Sequence, residues 1–220
     1  MDMKRTLGKF TTPAGKLTFP LYLNEPDSKF DDSEDKVKYK AGIRLDGDGA
    51  TKLRGVVEKT WQDWLDTVKV GMGKKPKVQA KNVQWYTSDT SRWDDMGEST
   101  GKLLDELQAD ELIIKTSCRA FRDGEARRPA IFDAGGQMIK AESLPPIGFG
   151  TTGKLSGSMY GWTTKAGVAS MSFILHAVQI LELVEPGQSR QGAEDFGFSA
   201  TDGFKTDADE FIEKIPGDDR

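Results

Sequence analysis

Two aromatic side chains, Tyr160 and Trp162, stand two positions apart and are the residues best suited to binding chemistry. The alternation of a β-strand places them on one face with Lys154, Ser156 and Ser158, and places Leu155, Met159 and Gly161 on the other. A strand face with a cation, hydroxyl groups and two rings suits the stacking of nucleic-acid bases along a phosphate backbone. Packing against a neighbouring loop is the alternative, because aromatic residues are common in strands.

Cations occupy alternate positions between residues 36 and 45. The pattern predicts a strand with one apolar face and one basic face, which carries Lys36, Lys38, Lys40 and Arg44. Four like charges on one face repel one another, unless a polyanion or opposing carboxylates stabilise them. We assign the three lysines to a candidate phosphate path. A solvated outer face is the alternative, because lysine commonly guards exposed strands.

A third strand is predicted from Glu111 to Phe121. Its small apolar positions alternate with Ile113, Lys115, Ser117, Arg119 and Phe121. Lys115 and Arg119 extend the candidate phosphate path, and Phe121 is a further candidate for base stacking. Three such two-faced strands, among glycine-rich turns and one helix, predict a small barrel with an open binding face.

Residues 71–110 are predicted to be an insertion, because Gly71, Gly73 and Pro76 break the preceding helix. Several lysines come just before Trp85 and Tyr86, which makes this segment a second candidate for nucleic-acid binding or a lid packed on the body. Its carboxylates could be imagined as the metal ligands of a nuclease, but helix capping is favoured; they are Asp94, Asp95, Asp105 and Glu106.

The sequence offers few residues that could support other enzymatic chemistry. The single histidine, His176, lies in a very apolar run, and the single cysteine, Cys118, lies in mid-strand. Nucleophile–base pairs are therefore hard to build, and a histidine–cysteine metal cluster is excluded. We expect a non-catalytic protein without a cofactor.

A hairpin over residues 151–185 is the element that must position the aromatic pair, with its turn at Lys165–Gly167. Its second strand, Ala169–Val184, is apolar at nearly every position and is predicted to be buried on both sides. A loose arm is predicted over 1–12, and a strand over 16–23 with Leu17, Phe19, Leu21 and Leu23 on one side. An amphipathic helix is predicted over 50–70, capped by Asp48 and with Trp61 and Trp64 in the core. A hairpin is predicted over 129–140. The predicted fold is mainly β, an OB-fold-like Greek-key barrel with one long amphipathic helix and an insertion.

Charge divides the chain at residue 185. Residues 186–220 hold nine acidic and four basic residues, a net charge of −5, whereas residues 1–185 hold 26 acidic and 27 basic residues, a net charge of +1. We therefore predict a binding domain over 1–185 and a flexible acidic tail over 186–220. Candidate partner-binding residues in the tail are Phe204, Phe211, Asp209 and Glu210. The tail could also occupy the protein's own basic groove when no DNA is present.

Targeting signals are absent from the sequence as given. No apolar run reaches the roughly 18 residues that a membrane helix needs, and the first residues lack the apolar segment of a signal peptide. One cysteine fits a reducing compartment. We expect a cytoplasmic protein without a membrane partner.

The run Lys154–Val184, with Ala177-Val178-Gln179-Ile180-Leu181 near its end and an acidic tail beyond it, resembles one known family. It is similar to the divergent OB-fold single-stranded DNA-binding proteins of tailed bacteriophages. The resemblance implies sequence-independent binding of single strands during phage replication and recombination, with the tail contacting replication proteins. This chain ends in Pro216–Arg220 without a terminal aromatic residue, so Phe204 or Phe211 would have to make the corresponding contact.

A second hypothesis is a viral assembly module. In that case the aromatic face would be buried against another subunit, and the protein would be a homo-oligomer that ignores nucleic acid.

Overall fold

A computed structural model of the protein describes residues 3–28, 33, 36–77 and 111–186. The strands in these ranges are β1 (Lys4–Thr11), β2 (Gly15–Asp27), β3 (Lys38–Leu45), β4 (Leu112–Arg119), β5 (Phe121–Arg122), β6 (Glu125–Ala126), β7 (Ala130–Phe132), β8 (Thr152–Thr163) and β9 (Ala169–Glu182). One α-helix, α1 (Gly47–Met72), follows β3, and a short 3-10 helix covers Ala141–Ser143.

Five strands close into a ring in the order β2, β3, β4, β9 and β8. The ring closes where β8 returns to β2, with Gly153 opposite Gly15 and Thr152 opposite Lys16. Strands β4 and β9 run parallel, and the other ring neighbours run antiparallel. The prediction of a mainly β barrel with one long helix is confirmed.

The first strand corrects one prediction. Residues 4–11 are not a loose arm, because they form β1 and pair antiparallel with β8. A register shift between Thr6 and Gly8 interrupts the alternation of side chains, which hides the strand in the sequence. The strand is anchored by Phe10, which is buried and meets the Phe173 ring edge-on at a centroid distance of 5.1 Å.

The predicted hairpin is confirmed as β8 and β9, with its turn at Lys165–Gly167 and Gly167 at φ +76°. Strand β9 pairs with β4, β7 and β8, so it is central. The prediction that it is buried on both sides is wrong, because Ile174 is half-buried and His176 is exposed. A strand in a barrel wall has one face toward the interior and one toward the outside, and Ile174 and His176 lie on the outside face of β9.

A similar register effect changes the face of Phe19. The sequence predicts that it shares one side with Leu17, Leu21 and Leu23, but its side chain is 45% exposed. The pairing of β2 with β3 shifts register between Thr18 and Leu21, so the two-residue period is broken at this point. The hairpin predicted over 129–140 is present as β7 with a bridge between Phe132 and Met138.

The helix is longer than predicted at both ends. Asp48 lies inside its first turn, and the N-cap position belongs to Asp46, whose side chain makes no capping hydrogen bond. The helix runs through Gly71 and ends at Gly73, which adopts φ +65° and donates its N–H to the Val70 carbonyl. Of the three predicted helix breakers, Gly73 therefore ends the helix, whereas Gly71 lies inside it.

Trp64 connects the helix to the hairpin, as the prediction of a core tryptophan requires. It is fully buried, and its indole Nε1 donates a hydrogen bond of 3.1 Å to the Ser170 carbonyl. The ring lies against Gly161, where an added Cβ would come within 2.8 Å of the indole. Glycine at this position therefore lets the helix approach the inner face of β8 closely. Trp61 is partly buried against the same core.

Candidate nucleic-acid interface

The aromatic pair, Tyr160 and Trp162, lies on the outer face of β8. Both residues are half-buried, whereas Leu155 and Met159 on the inner face are almost fully buried. Neighbouring strands place polar residues opposite the rings. Thr6 of β1 and Ser172 of β9 flank Tyr160, and Lys4 of β1 and Ser170 of β9 flank Trp162. The rings are therefore bordered by hydroxyl groups and one cation.

A second group of side chains lies on the outer faces of β3 and β4. We call Lys38, Lys40, Lys115 and Arg119 the basic patch. Lys38 lies opposite Arg119, Lys40 opposite Ser117 and Lys115 opposite Gly42, so the patch spans two adjacent strands. Among the described residues, Lys38 and Arg119 have no carboxylate partner. They are available to an external anion.

Lys40 differs from Lys38 and Arg119 because it has an anionic partner. Its Nζ atom lies 2.5 Å from Asp27 Oδ2, and 5.8 Å from the centroid of the Tyr22 ring. Asp27 and Tyr22 both belong to β2, which pairs with β3. The Asp27 carboxylate thus opposes the basic face of β3. The alternation of cations in the sequence predicts that either such a carboxylate or a bound polyanion relieves the repulsion between them.

Strand β9 separates the aromatic pair from the basic patch. Ser117 of β4 is the partner of Ile174, and Tyr160 is the partner of Ser172. Because Lys115 precedes Ser117 by two residues in a parallel pair, Lys115 and Tyr160 flank the same stretch of β9. Two strand spacings amount to about 10 Å. This is the point at which the two groups come nearest in the register of the sheet.

The charges on these strands are nearly all of one sign. Strands β1, β3, β4, β8 and β9 contain one acidic residue, Glu182, at the very end of β9. They contain nine basic residues, which are Lys4, Arg5, Lys9, Lys38, Lys40, Arg44, Lys115, Arg119 and Lys154. Two of these cations, Lys40 and Arg44, are paired with Asp27 and Glu111, and the strands retain an excess of positive charge that attracts a polyanion.

Three predicted site residues lie away from this centre. Lys154 is on the outer face of β8 opposite Gln179, six residues and roughly 20 Å along the strand from Tyr160. Lys36 precedes β3 and donates its backbone N–H to the Ser33 carbonyl. Phe121 does not continue β4, which ends at Arg119, but starts the small β5–β6 hairpin.

The Asp123–Gly124 turn explains the position of Phe121. Both turn residues have positive φ, 55° and 77°, as a two-residue type I′ turn requires. Ala120 still donates its N–H to the carbonyl of Val37, the residue before β3, and the chain then folds back so that Phe121 pairs with Ala126. Phe121 is half-buried in this hairpin at the end of β4.

Other predicted residues lie outside the described residues. They are Trp85 and Tyr86, the carboxylates Asp94, Asp95, Asp105 and Glu106, and the tail residues Phe204, Phe211, Asp209 and Glu210.

Within the described ranges, no cluster of three or more histidine, cysteine or carboxylate side chains could hold a metal ion. No helix in those ranges combines the length and apolar character needed to cross a membrane.

One hydroxyl–imidazole contact needs a chemical interpretation. Ser158 Oγ lies 3.3 Å from His176 Nε2, a pairing that the apolar sequence around His176 did not suggest. Among the described residues no carboxylate contacts His176, and Ser158 is only 7% exposed. The pair lacks the orienting third group of a hydrolytic site.

Burial raises the pKa of the Cys118 thiol from 9.0 to about 11, so this side chain is not a thiolate nucleophile at neutral pH.

Sequence reasoning missed three residues of this surface. Lys4 was hidden by the unrecognised strand β1, although it stands opposite Trp162. Tyr22 is on the outer face of β2, where alternation with Leu21 and Leu23 could have placed it. No pattern in the sequence pointed to Asp27, because its contact with Lys40 depends on the pairing of β2 with β3.

The fold is that of the bacteriophage single-stranded DNA-binding proteins built on an OB-fold barrel. The crystal structure of gp2.5, a single-stranded DNA-binding protein encoded by bacteriophage T7, superposes with a TM-score of 0.57 at 18% identity over 93% of this chain and 100% of that chain. The single-stranded DNA-binding protein of bacteriophage Enc34, in complex with single-stranded DNA, gives a TM-score of 0.52 at 13% identity over 84% of this chain and 96% of that chain. A further structure of the single-stranded DNA-binding protein of bacteriophage Enc34 gives a TM-score of 0.50 at 13% identity over 89% of this chain and 97% of that chain. No protein-family model and no curated protein sequence matches this chain.

Proposed function

We propose that this protein binds single-stranded DNA without sequence preference and without catalysis. The observation that carries the proposal is the composition of β1, β3, β4, β8 and β9, which hold nine cations and one terminal carboxylate and include the strand with the two outward-facing rings. The fold supports it, since the Enc34 structure with this fold is a complex with single-stranded DNA. Single-strand binders combine such a positive surface with aromatic stacking platforms.

In this mechanism Tyr160 and Trp162 stack unpaired bases, and Lys4 holds the phosphate beside Trp162. The strand then crosses β9 near Ser172 and reaches the basic patch, where Lys38, Lys115 and Arg119 neutralise phosphates. Duplex readers normally insert a helix into a groove. The buried residues of α1, among them Val57 and Trp64, are committed to the core, which disfavours duplex recognition.

The remaining candidates extend this surface. Lys36 and Phe121 would lengthen the path beyond the basic patch, Lys154 would lengthen it along β8, and Trp85 and Tyr86 would add stacking from the insertion. We assign the protein to phage DNA replication and recombination in the host cytoplasm. In this assignment the tail docks replication or recombination proteins through Phe204, Phe211, Asp209 and Glu210.

Binding should depend steeply on salt through the basic patch. In a titration of labelled oligo-dT, the double substitution Lys38→Gln/Arg119→Gln should reduce the slope of log K against log salt by about 1.4, since each lost contact to single strands removes about 0.7. A matched control is Lys52→Gln/Lys59→Gln, which removes two exposed charges of α1. Equal slopes for the two variants would contradict a local phosphate path.

Removal of residues 186–220 should tighten binding of oligo-dT. The tail carries a net charge of −5, so it competes with DNA for a positive surface at low salt. Isothermal titration of the full chain and of residues 1–185 measures the effect, which should shrink at high salt. Weaker binding by the shorter chain would refute the competitor role.

A further inference from the structure

The basic patch borders a carboxylate, Asp27 of β2. Asp27 Oδ2 lies 2.5 Å from Lys40 Nζ, and the two side chains are only 11% and 31% exposed. Asp27 is also the cross-strand partner of Lys38, which in turn lies opposite Arg119. One anionic group is therefore held beside two cations of the proposed DNA surface, Lys40 and Lys38, with Arg119 one strand further on.

The other end of β3 provides a comparison. Arg44 pairs with Glu111 at 2.6 Å, and the Glu111 side chain is 15% exposed, so this ion pair is similar in length and in the burial of its carboxylate. Arg44, however, lies opposite Ile113 and Lys16, outside the basic patch. Two carboxylates thus neutralise cations of the same strand, and Asp27 is the one bordered by the phosphate path.

We propose that Asp27 is an internal competitor for phosphate at Lys40, an inference that rests on the proposed function. In the free protein the carboxylate holds the ammonium group beside the Tyr22 ring. When DNA binds, a phosphate approaches the same ammonium group and is repelled by the carboxylate, so the complex is weaker and dissociates faster than the cations alone would allow. Asp27 therefore sets the affinity of the patch without touching a base.

The test is the substitution Asp27→Asn, measured by fluorescence anisotropy with labelled oligo-dT. The amide keeps an oxygen to accept from Lys40 and removes the charge. We expect Kd at about 50 mM salt to fall roughly three- to tenfold, and the slope of log K against log salt to steepen by up to about 0.7, the effect of one regained contact. The control Glu111→Gln makes the same change in net charge and should leave Kd within about twofold.

A double-mutant cycle establishes whether the effect passes through Lys40. In a Lys40→Gln background, Asp27→Asn should give a clearly smaller gain, because the contested cation is absent and only the direct repulsion between carboxylate and phosphate is relieved. Circular dichroism checks that each variant is folded, and Asp27→Ser is the second variant if the amide is not accommodated.

Each outcome has one meaning. The inference is overturned, while the proposed function stands, by any of three results: unchanged or weaker binding by Asp27→Asn, an equal gain from Glu111→Gln, or a gain that is undiminished without Lys40. If the wild-type protein does not bind oligo-dT at all, the proposed function fails and the inference fails with it.

Discussion

The double substitution Tyr160→Ala/Trp162→Ala is expected to weaken binding of oligo-dT by about thirtyfold or more. Base–aromatic stacking contributes about 1–3 kcal/mol per base, so the loss of two platforms removes about 2 kcal/mol or more. The effect should be nearly the same at low and high salt, because stacking does not release counterions. Anisotropy of a labelled oligonucleotide is the appropriate measurement, since the substitution removes a tryptophan that fluorescence would report.

The control for this variant is Phe149→Ala. Phe149 is 60% exposed and lies in the loop before β8, away from the aromatic pair in sequence and register. Its removal should leave affinity within about twofold. The double variant should keep its fold, because both rings lie on the outer face of the barrel while Leu155 and Met159 fill the inside. A double variant that binds as tightly as the wild-type protein would remove stacking from the mechanism.

The largest expected loss of stability comes from Trp64→Ala. The side chain is fully buried, packs on Gly161 and donates to the Ser170 carbonyl, so its removal leaves a cavity and an unpaired acceptor between α1 and the β8–β9 hairpin. Substitutions of this kind reduce the free energy of unfolding by about 3–5 kcal/mol. Urea unfolding followed by circular dichroism should show a lower midpoint with little change in slope.

Trp61→Ala is the matched comparison, on the same helix one turn earlier. Trp61 is only partly buried against the core, so its removal should lower the free energy of unfolding by less than half as much. If the two variants were equally stable, the helix would not be attached to the hairpin through Trp64. A folded Trp64→Ala protein with weakened DNA binding would further connect this contact to the position of Tyr160 and Trp162.

Residue periodicity predicted much of the fold. The alternation in β3, β4 and β8 separates inner apolar from outer polar residues with few exceptions, and the apolar stripe of α1 predicted its core contacts. These patterns are local, because each depends on the two-residue period of a strand or the 3.6-residue period of a helix.

The errors occur where that period is broken. The register shift beside Leu7 hid β1 and with it Lys4, and the shift at residues 18–21 placed Phe19 outside. An Asp-Gly turn removed Phe121 from β4. The outer face of β9 is less buried than its apolar composition predicted, since His176 is exposed.

Contacts between strands distant in sequence were beyond prediction from one chain. The pattern of β3 showed that its cations needed an anion opposite them, but the identity of Asp27 follows only from the pairing of β2 with β3. Likewise, the relation of Lys115 to Tyr160 depends on the parallel pairing of β4 with β9.

The most direct test of the proposed interface is photo-crosslinking of oligo-dT that carries 5-iodouracil, followed by mass spectrometry of the crosslinked peptides. Stacked bases crosslink to the rings on which they lie. The account predicts crosslinks at Tyr160 or Trp162 that unlabelled oligo-dT suppresses. Crosslinks confined to α1, or to loops at the far end of the barrel, would contradict it.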